Sequence, residues 1–206
     1  MNDYRTIRGT SVAEIEEKHS RFIASAAFAD TEEKALAFLE KIRSENRTAR
    51  HNVFAYCLRE GNRVRYSDDG EPAKTAGTPV LECIQHRELK DVIVVVTRYF
   101  GGILLGTGGL VRAYTQAAKL ALEAAPSGTM RVCVRLTVTV EYPLYERADL
   151  LLCTAGAHME EPEFTHQVTL RCVLPQGEEA PLIPKLQEWS RGAAAIEVSP
   201  GFYTAF

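Results

Sequence analysis

From Val132 the chain alternates apolar and polar residues in VCVRLTVTVEY, the period of a strand with one buried face. The next stretch, PLYERADLLLCTAG at 143–156, changes to helical spacing and closes on Gly156, a glycine where helices commonly stop. HMEEPEF and HQVTLRCVL return to strand character, with Pro162 marking the first as an edge or a broken strand. A helix over about 180–191 and a closing strand in AAIEVSP complete a βαββαβ order, the ferredoxin-like arrangement.

Upstream the rhythm differs. SRFIASAAFAD at 20–30 reads as a strand ending at Asp30, which is placed to cap a helix with Glu33 three residues on; Leu36, Leu39 and Ile42 then line one helical face. VFAYCL and RVRYS flank Glu60-Gly61-Asn62, a hairpin signal. The polar loop SDDGEPAKTAGTPV at 67–80 leads to Thr78 and Pro79, read as the N-cap and first residue of a short helix. DVIVVVTRYF is apolar on both faces as far as Val96, so it predicts a central strand covered on each side. The glycine-rich GGILLGTGGL then feeds a helix, VRAYTQAAKLALEAA. Together these elements predict an α+β domain with helices against a mixed sheet.

The helical pattern ends and the alternation begins within EAAPSGTM at 123–130, which puts the boundary between domains at 1–127 and 128–206. With 46% apolar residues in 206, each part can supply a core. The formal charge of −3 excludes the overall basic footprint of a dedicated nucleic-acid binder. It divides unevenly: residues 1–129 hold 18 basic and 17 acidic residues, residues 130–206 hold 6 and 10, so phosphate contact favours the first domain. Five scattered cysteines with no CxxC pattern read as reduced thiols of a cytoplasmic protein, and no stretch has the ~18–20 apolar residues of a membrane span.

Three stretches carry candidate chemistry. Gly101, Gly102, Gly106, Gly108 and Gly109 surround a helix start at Thr107, whose unpaired N–H groups suit a phosphate or carboxylate, with Arg98 and Arg112 placed to help. A tight turn that merely reverses the chain accounts for the same glycines, since neither the P-loop nor the dinucleotide-binding spacing is present. Asp68, Asp69 and Glu71 offer oxygen ligands or a proton acceptor, though Asp and Gly70 equally favour a turn for local reasons. His51, between Arg50 and Asn52, has no nucleophile at interpretable spacing, and no catalytic motif is recognisable. Lys41, Arg43, Arg47, Arg50, Arg59, Arg63 and Arg65 suggest either a phosphate track with Tyr56 and Tyr66 for stacking, or a solvated face. Tyr99, Phe100, Ile103 and Leu104 are candidate anchors of a docking surface.

SRFIA, ARHNVFAY, SDDGEPAKTAGTPVLE and above all VIVVVTRYFGGILLGTGGLVRAYTQA resemble the IMPACT/YigZ family over essentially the whole chain. Lys74 departs from the small residue expected before TAG. The resemblance implies a ribosomal protein S5 domain 2-like fold followed by a ferredoxin-like domain similar to domain V of elongation factor G. For this bacterial arrangement the family offers no settled substrate or reaction; with two translation-factor-like folds and no recognisable catalytic set, the expectation is a non-enzymatic, translation-associated binding protein with RNA, the ribosome or a translation-linked protein as partner and no cofactor, metal or membrane. Eukaryotic IMPACT proteins regulate translation initiation by binding the activator of a starvation-sensing kinase, but they carry a further N-terminal domain. The positions implicated are His51, Asp68, Asp69, Glu71, Thr75, Arg98, Tyr99, the five glycines, Thr107 and Arg112. The alternative is a small-molecule or phosphate site, enzymatic or not, between the glycine turn and the acidic loop.

Overall fold

A computed structural model describes residues 3–205, which form two compact units. One unit is Tyr4–Thr129; the other holds Asp3 and the residues from Met130 onward.

The first unit opens with β1 (Tyr4–Ile7), β2 (Thr10–Glu17) and β3 (Ser20–Phe28), followed by α1 (Glu32–Glu45). β4 (His51–Cys57) and β5 (Val64–Ser67) form the expected hairpin, then come α2 (Gly77–His86), β6 (Val92–Tyr99) and α3 (Thr107–Ala124). Five strands make one sheet in the order β2-β3-β6-β4-β5. Every pairing in it is antiparallel, which corrects the mixed sheet expected from sequence. The reason is topological: α1 joins β3 to β4 and α2 joins β5 to β6, and each of these pairs runs the same way but is separated in the sheet by one strand, so every immediate neighbour is antiparallel.

β6 is central, as its apolar run predicts. Its alternate residues part to two cores: Val92, Val94 and Val96 pack with α2 and α3, while Ile93 and Val95 pack with α1. That parity sets the site, because Arg98 continues the first series and Tyr99 the second. β1 and β2 add strands before β3, and SVAEIEE in β2 alternates as an edge strand should.

Two caps differ from expectation. α1 is capped by Thr31, whose hydroxyl accepts the Lys34 N–H at 3.2 Å, while Asp30 binds the Lys34 ammonium. α2 begins at Gly77 with no side-chain cap from Ala76; Thr78 sits inside it with its hydroxyl buried and unpaired. Asp68 takes the capping role from the preceding loop, and a carboxylate is the stronger acceptor.

In the second unit β7 (Ser127–Val140) crosses the junction and runs on through the sheet. α4 (Tyr145–Thr154), β8 (His158–Met159), β9 (Glu163–Phe164), β10 (Val168–Pro175), α5 (Leu182–Trp189), β11 (Ala195–Val198) and β12 (Phe202–Ala205) follow. HMEEPEF is broken around Pro162 into β8 and β9, both paired with β10, and β10 and β11 flank β7. This is the ferredoxin-like order, with α4 and α5 over Leu136, Val138, Leu170 and Cys172. β12 is an addition that pairs with the early part of β7.

Candidate functional site

The acidic loop between β5 and α2 is built inward. Asp68 accepts hydrogen bonds from the backbone N–H groups of Lys74 (2.9 Å), Ala76 (3.1 Å) and Gly77 (2.8 Å), tying the loop to the start of α2. Asp69 accepts from Asn52 N at 2.6 Å and from the Arg43 guanidinium at 3.4 Å. The Asp69 carbonyl accepts a hydrogen bond from His51 Nδ1–H at 2.8 Å, so the loop sets which ring nitrogen of His51 carries the proton. Thr75 donates to Pro72 O at 2.7 Å, closing a local turn. The loop bends through φ 44° at Asp69, 86° at Gly70 and 64° at Lys74.

Glu71 goes deeper. Its Oε1 accepts from Arg98 Nη1 at 2.7 Å and from the Tyr114 hydroxyl at 2.8 Å, with the Glu71 and Arg98 side chains only 4% and 7% exposed. Arg98 Nη2 reaches Ser20 Oγ at 3.4 Å, and that oxygen also accepts the Gly101 N–H at 3.2 Å. The guanidinium lies between the rings of Phe22 and Phe100, at 5.5 and 5.6 Å from their centroids. Burial, followed by the Glu71 charge, pushes the Tyr114 phenol far above its ordinary range, so it remains a donor. One buried ion pair thus joins the β5–α2 loop, strand β6, helix α3 and the start of β3.

This changes what the sequence candidates do. Arg98, expected beside the anion-binding turn, is committed to Glu71. The three acids, offered by the sequence as oxygen ligands, a proton acceptor or turn formers, point to three different sets of fixed donors. Tyr99 belongs to the other side of the sheet and donates to Asn46 Oδ1 at 2.9 Å. Ser20 and Tyr114 were missed as members of the cluster. Tyr114 left a signal: it is the one polar-tipped side chain in α3's buried stripe of Leu110, Ala113, Ala117, Ala118 and Ala121, and a buried phenol needs a partner.

The glycine turn is built outward. Gly101 lies so close to β3 that a Cβ on it would sit 2.0 Å from the His19 backbone. Leu105 is buried; between these two anchors Ile103 and Leu104 are 46% and 81% exposed, and Phe100, just before Gly101, is 53% exposed. α3 starts from Gly106 with no side-chain cap, leaving the N–H groups of Thr107, Gly108 and Gly109 at the surface near Arg112, itself exposed. An apolar patch therefore adjoins a helix end of positive partial charge.

The basic stretch is partly neutralised. Arg43 pairs with Glu40, Arg63 and Arg65 pair with Glu32, and Lys41 lies 4.0 Å from Glu45. Tyr56, expected to stack on bases, is buried and donates to Glu32. These contacts fit the solvated-face reading.

Comparison with known proteins agrees along the chain. Residues 18–122 match the family model described as Impact N-terminal domain, and residues 138–193 match a domain of unknown function, DUF1949. A Thermus thermophilus protein named "IMPACT family member in pol 5'region" is 41% identical over 87% of this chain and 98% of its own length. "IMPACT family member YigZ" of Escherichia coli is 36% identical over 91% of this chain and 92% of its own. A solved structure titled "Crystal structure of an hypothetical protein" superposes with a TM-score of 0.64 at 34% identity, covering 95% of this chain and 97% of that one.

Proposed function

The chain belongs to the IMPACT family, and from that membership we propose that it is a non-enzymatic, translation-linked binding protein that docks a protein partner through the glycine turn of its first unit. The observation that carries this reading is the exposure of Ile103 and Leu104 on a turn whose two ends are fixed by Gly101 and Leu105, with Phe100 exposed just before it. Exposed apolar anchors on a pre-ordered backbone lose little entropy on binding, which is how a small patch gains affinity. The uncapped start of α3 and Arg112 favour an acidic group on the partner beside those anchors.

RNA is the weaker partner on this reading, because three of the six arginines expected to track a strand, Arg43, Arg63 and Arg65, are held by Glu32, Glu40 and Asp69. A small anion at Thr107–Gly109 is a second reading, supported by the same free N–H groups. The buried ion pair works as a brace for this surface, holding the turn's first residue through Ser20.

The test is a pull-down from the native host at low salt, with and without RNase, comparing the wild-type chain with Leu104→Glu and Arg112→Glu. Capture that survives RNase and falls by about tenfold or more with Leu104→Glu is the expected result. Capture abolished by RNase, or unchanged by Leu104→Glu, would overturn the protein-docking reading. Phosphate-dependent shifts confined to Thr107–Gly109 would favour the small anion instead.

A further inference from the structure

The second unit carries a groove that the surface above does not use. Between α4 and α5 lies a depression of about 300 Å³ lined by Arg147, Leu150, Leu151, Thr154, Leu182 and Lys185. Its origin is in the sequence. α4 has three consecutive leucines, and a helix packed on one sheet can turn only part of such a run inward. Leu152 is fully buried with Ala148, Leu151 is half-buried, and Leu150 is 64% exposed. Arg147, Leu150, Leu151 and Thr154 stand at i, i+3, i+4 and i+7, a second stripe beside the buried one. Leu182 and Lys185, at i and i+3, form the facing wall on α5.

Charge separates this groove from an ordinary gap between helices. Residues 130–206 hold 6 basic and 10 acidic residues. Arg131, Arg135 and Arg171 are bridged to Asp3, Glu160 and Glu163. Arg147, Lys185 and Arg191 make no ion pair among the described residues, and the first two line the same groove. Arg147 is held over the Trp189 ring at 5.4 Å, which orders its guanidinium and leaves its charge uncompensated. No acidic side chain is in the lining.

We propose that this groove binds a small aliphatic carboxylate, with its chain over Leu150, Leu151 and Leu182 and its carboxylate between Arg147 and Lys185. A volume near 300 Å³ is at the lower end for small-molecule sites and suits one flexible chain. The Thr154 hydroxyl is already donated to Leu150 O at 2.7 Å, so the two cations are the groups left to meet the head group. Mostly apolar walls argue against a compact inorganic anion, which would be stripped of water without replacement partners.

The proposal is independent of the first unit's docking surface, and its test uses the full chain. Decanoate is titrated below its micellar range while two-dimensional NMR follows the protein. Saturable shifts at Leu150, Leu151, Thr154 and Leu182 are expected, tightening about twofold or more per added methylene from hexanoate to decanoate. Decanol and decyltrimethylammonium should bind at least about tenfold more weakly, and the double variant Arg147→Glu/Lys185→Glu should lose about tenfold or more. Leu150→Glu, at an exposed position, is the companion variant should the double one unfold. Equal binding of decanol, shifts scattered outside α4 and α5, or affinity unchanged in the variants would overturn the proposal. So would exclusive occupation of the groove by an acidic, leucine-containing helical peptide.

Discussion

A methyl group at residue 101 would overlap the His19 backbone, with contacts of 2.0 Å to its C and O and 2.5 Å to Ser20 N. Neither main chain can move without displacing β3, so Gly101→Ala is expected to cost about 3 kcal/mol or more in urea unfolding. Gly102→Ala, one residue on, has nothing within 4 Å and pays only for its φ of +87°, about 1–2 kcal/mol. The sequence offers two adjacent glycines without distinguishing them; only the close approach of β3 does. Glu71 behaves similarly. Glu71→Gln keeps the shape but leaves the Arg98 guanidinium buried without a counter-charge, and about 3 kcal/mol should be lost. The matched control Glu160→Gln removes an exposed partner of Arg135 and should change the same measurement by less than about 1 kcal/mol. Acids were legible as residues, but which acid would be buried was not, because burial depends on α3 crossing over the loop.

At the scale of elements, the hydrophobic pattern carried most of the fold. The central position of β6, the β4–β5 hairpin, the break at Pro162 and the ferredoxin-like order all follow from local periodicity and turn residues. Helix starts were less legible. Thr78 and Asp30 have the right chemistry for N-caps, yet the groups that do the work are Asp68, eight residues before Ala76, and Thr31. Asp68→Ala should therefore fray α2 although it lies outside it, at a cost of about 1–2 kcal/mol. Hydrogen exchange should speed up at Ala76 and Gly77, whose N–H groups lose their acceptor, while α1 remains protected. Thr78→Ala removes a hydroxyl that has no partner and should be near neutral.

For the whole molecule, burial sets both the thiol chemistry and the alkaline limit of stability. Burial pushes Cys57, Cys83 and Cys133 above the ordinary thiol value of 9.0, and Cys172 up to about 11, with Glu160 and Cys153 adding to the last. An acid with a raised folded pKa ionises first in the unfolded chain, so its stabilising effect is complete below about pH 9 and is lost between pH 9 and 11 for Cys172. The buried Tyr114 phenol acts in the same direction at higher pH. The urea midpoint should accordingly hold level near neutrality and fall above about pH 9. At pH 8 a thiol reagent should modify exposed Cys153 first, half-buried Cys83 more slowly, and the other three only on unfolding. The sequence by itself determined the α+β class, the two-part organisation along the chain and the family, because periodicity and turn residues are local properties that survive in one dimension. The tertiary structure decided which way the acidic loop and the glycine turn face. The loop's carboxylates are drawn inward by Arg98, Tyr114 and backbone N–H groups 6 to 43 residues away in the chain, while Gly101 and Leu105 force the turn's apolar tip outward. Such contacts depend on which elements the fold stacks together, and no local pattern encodes that.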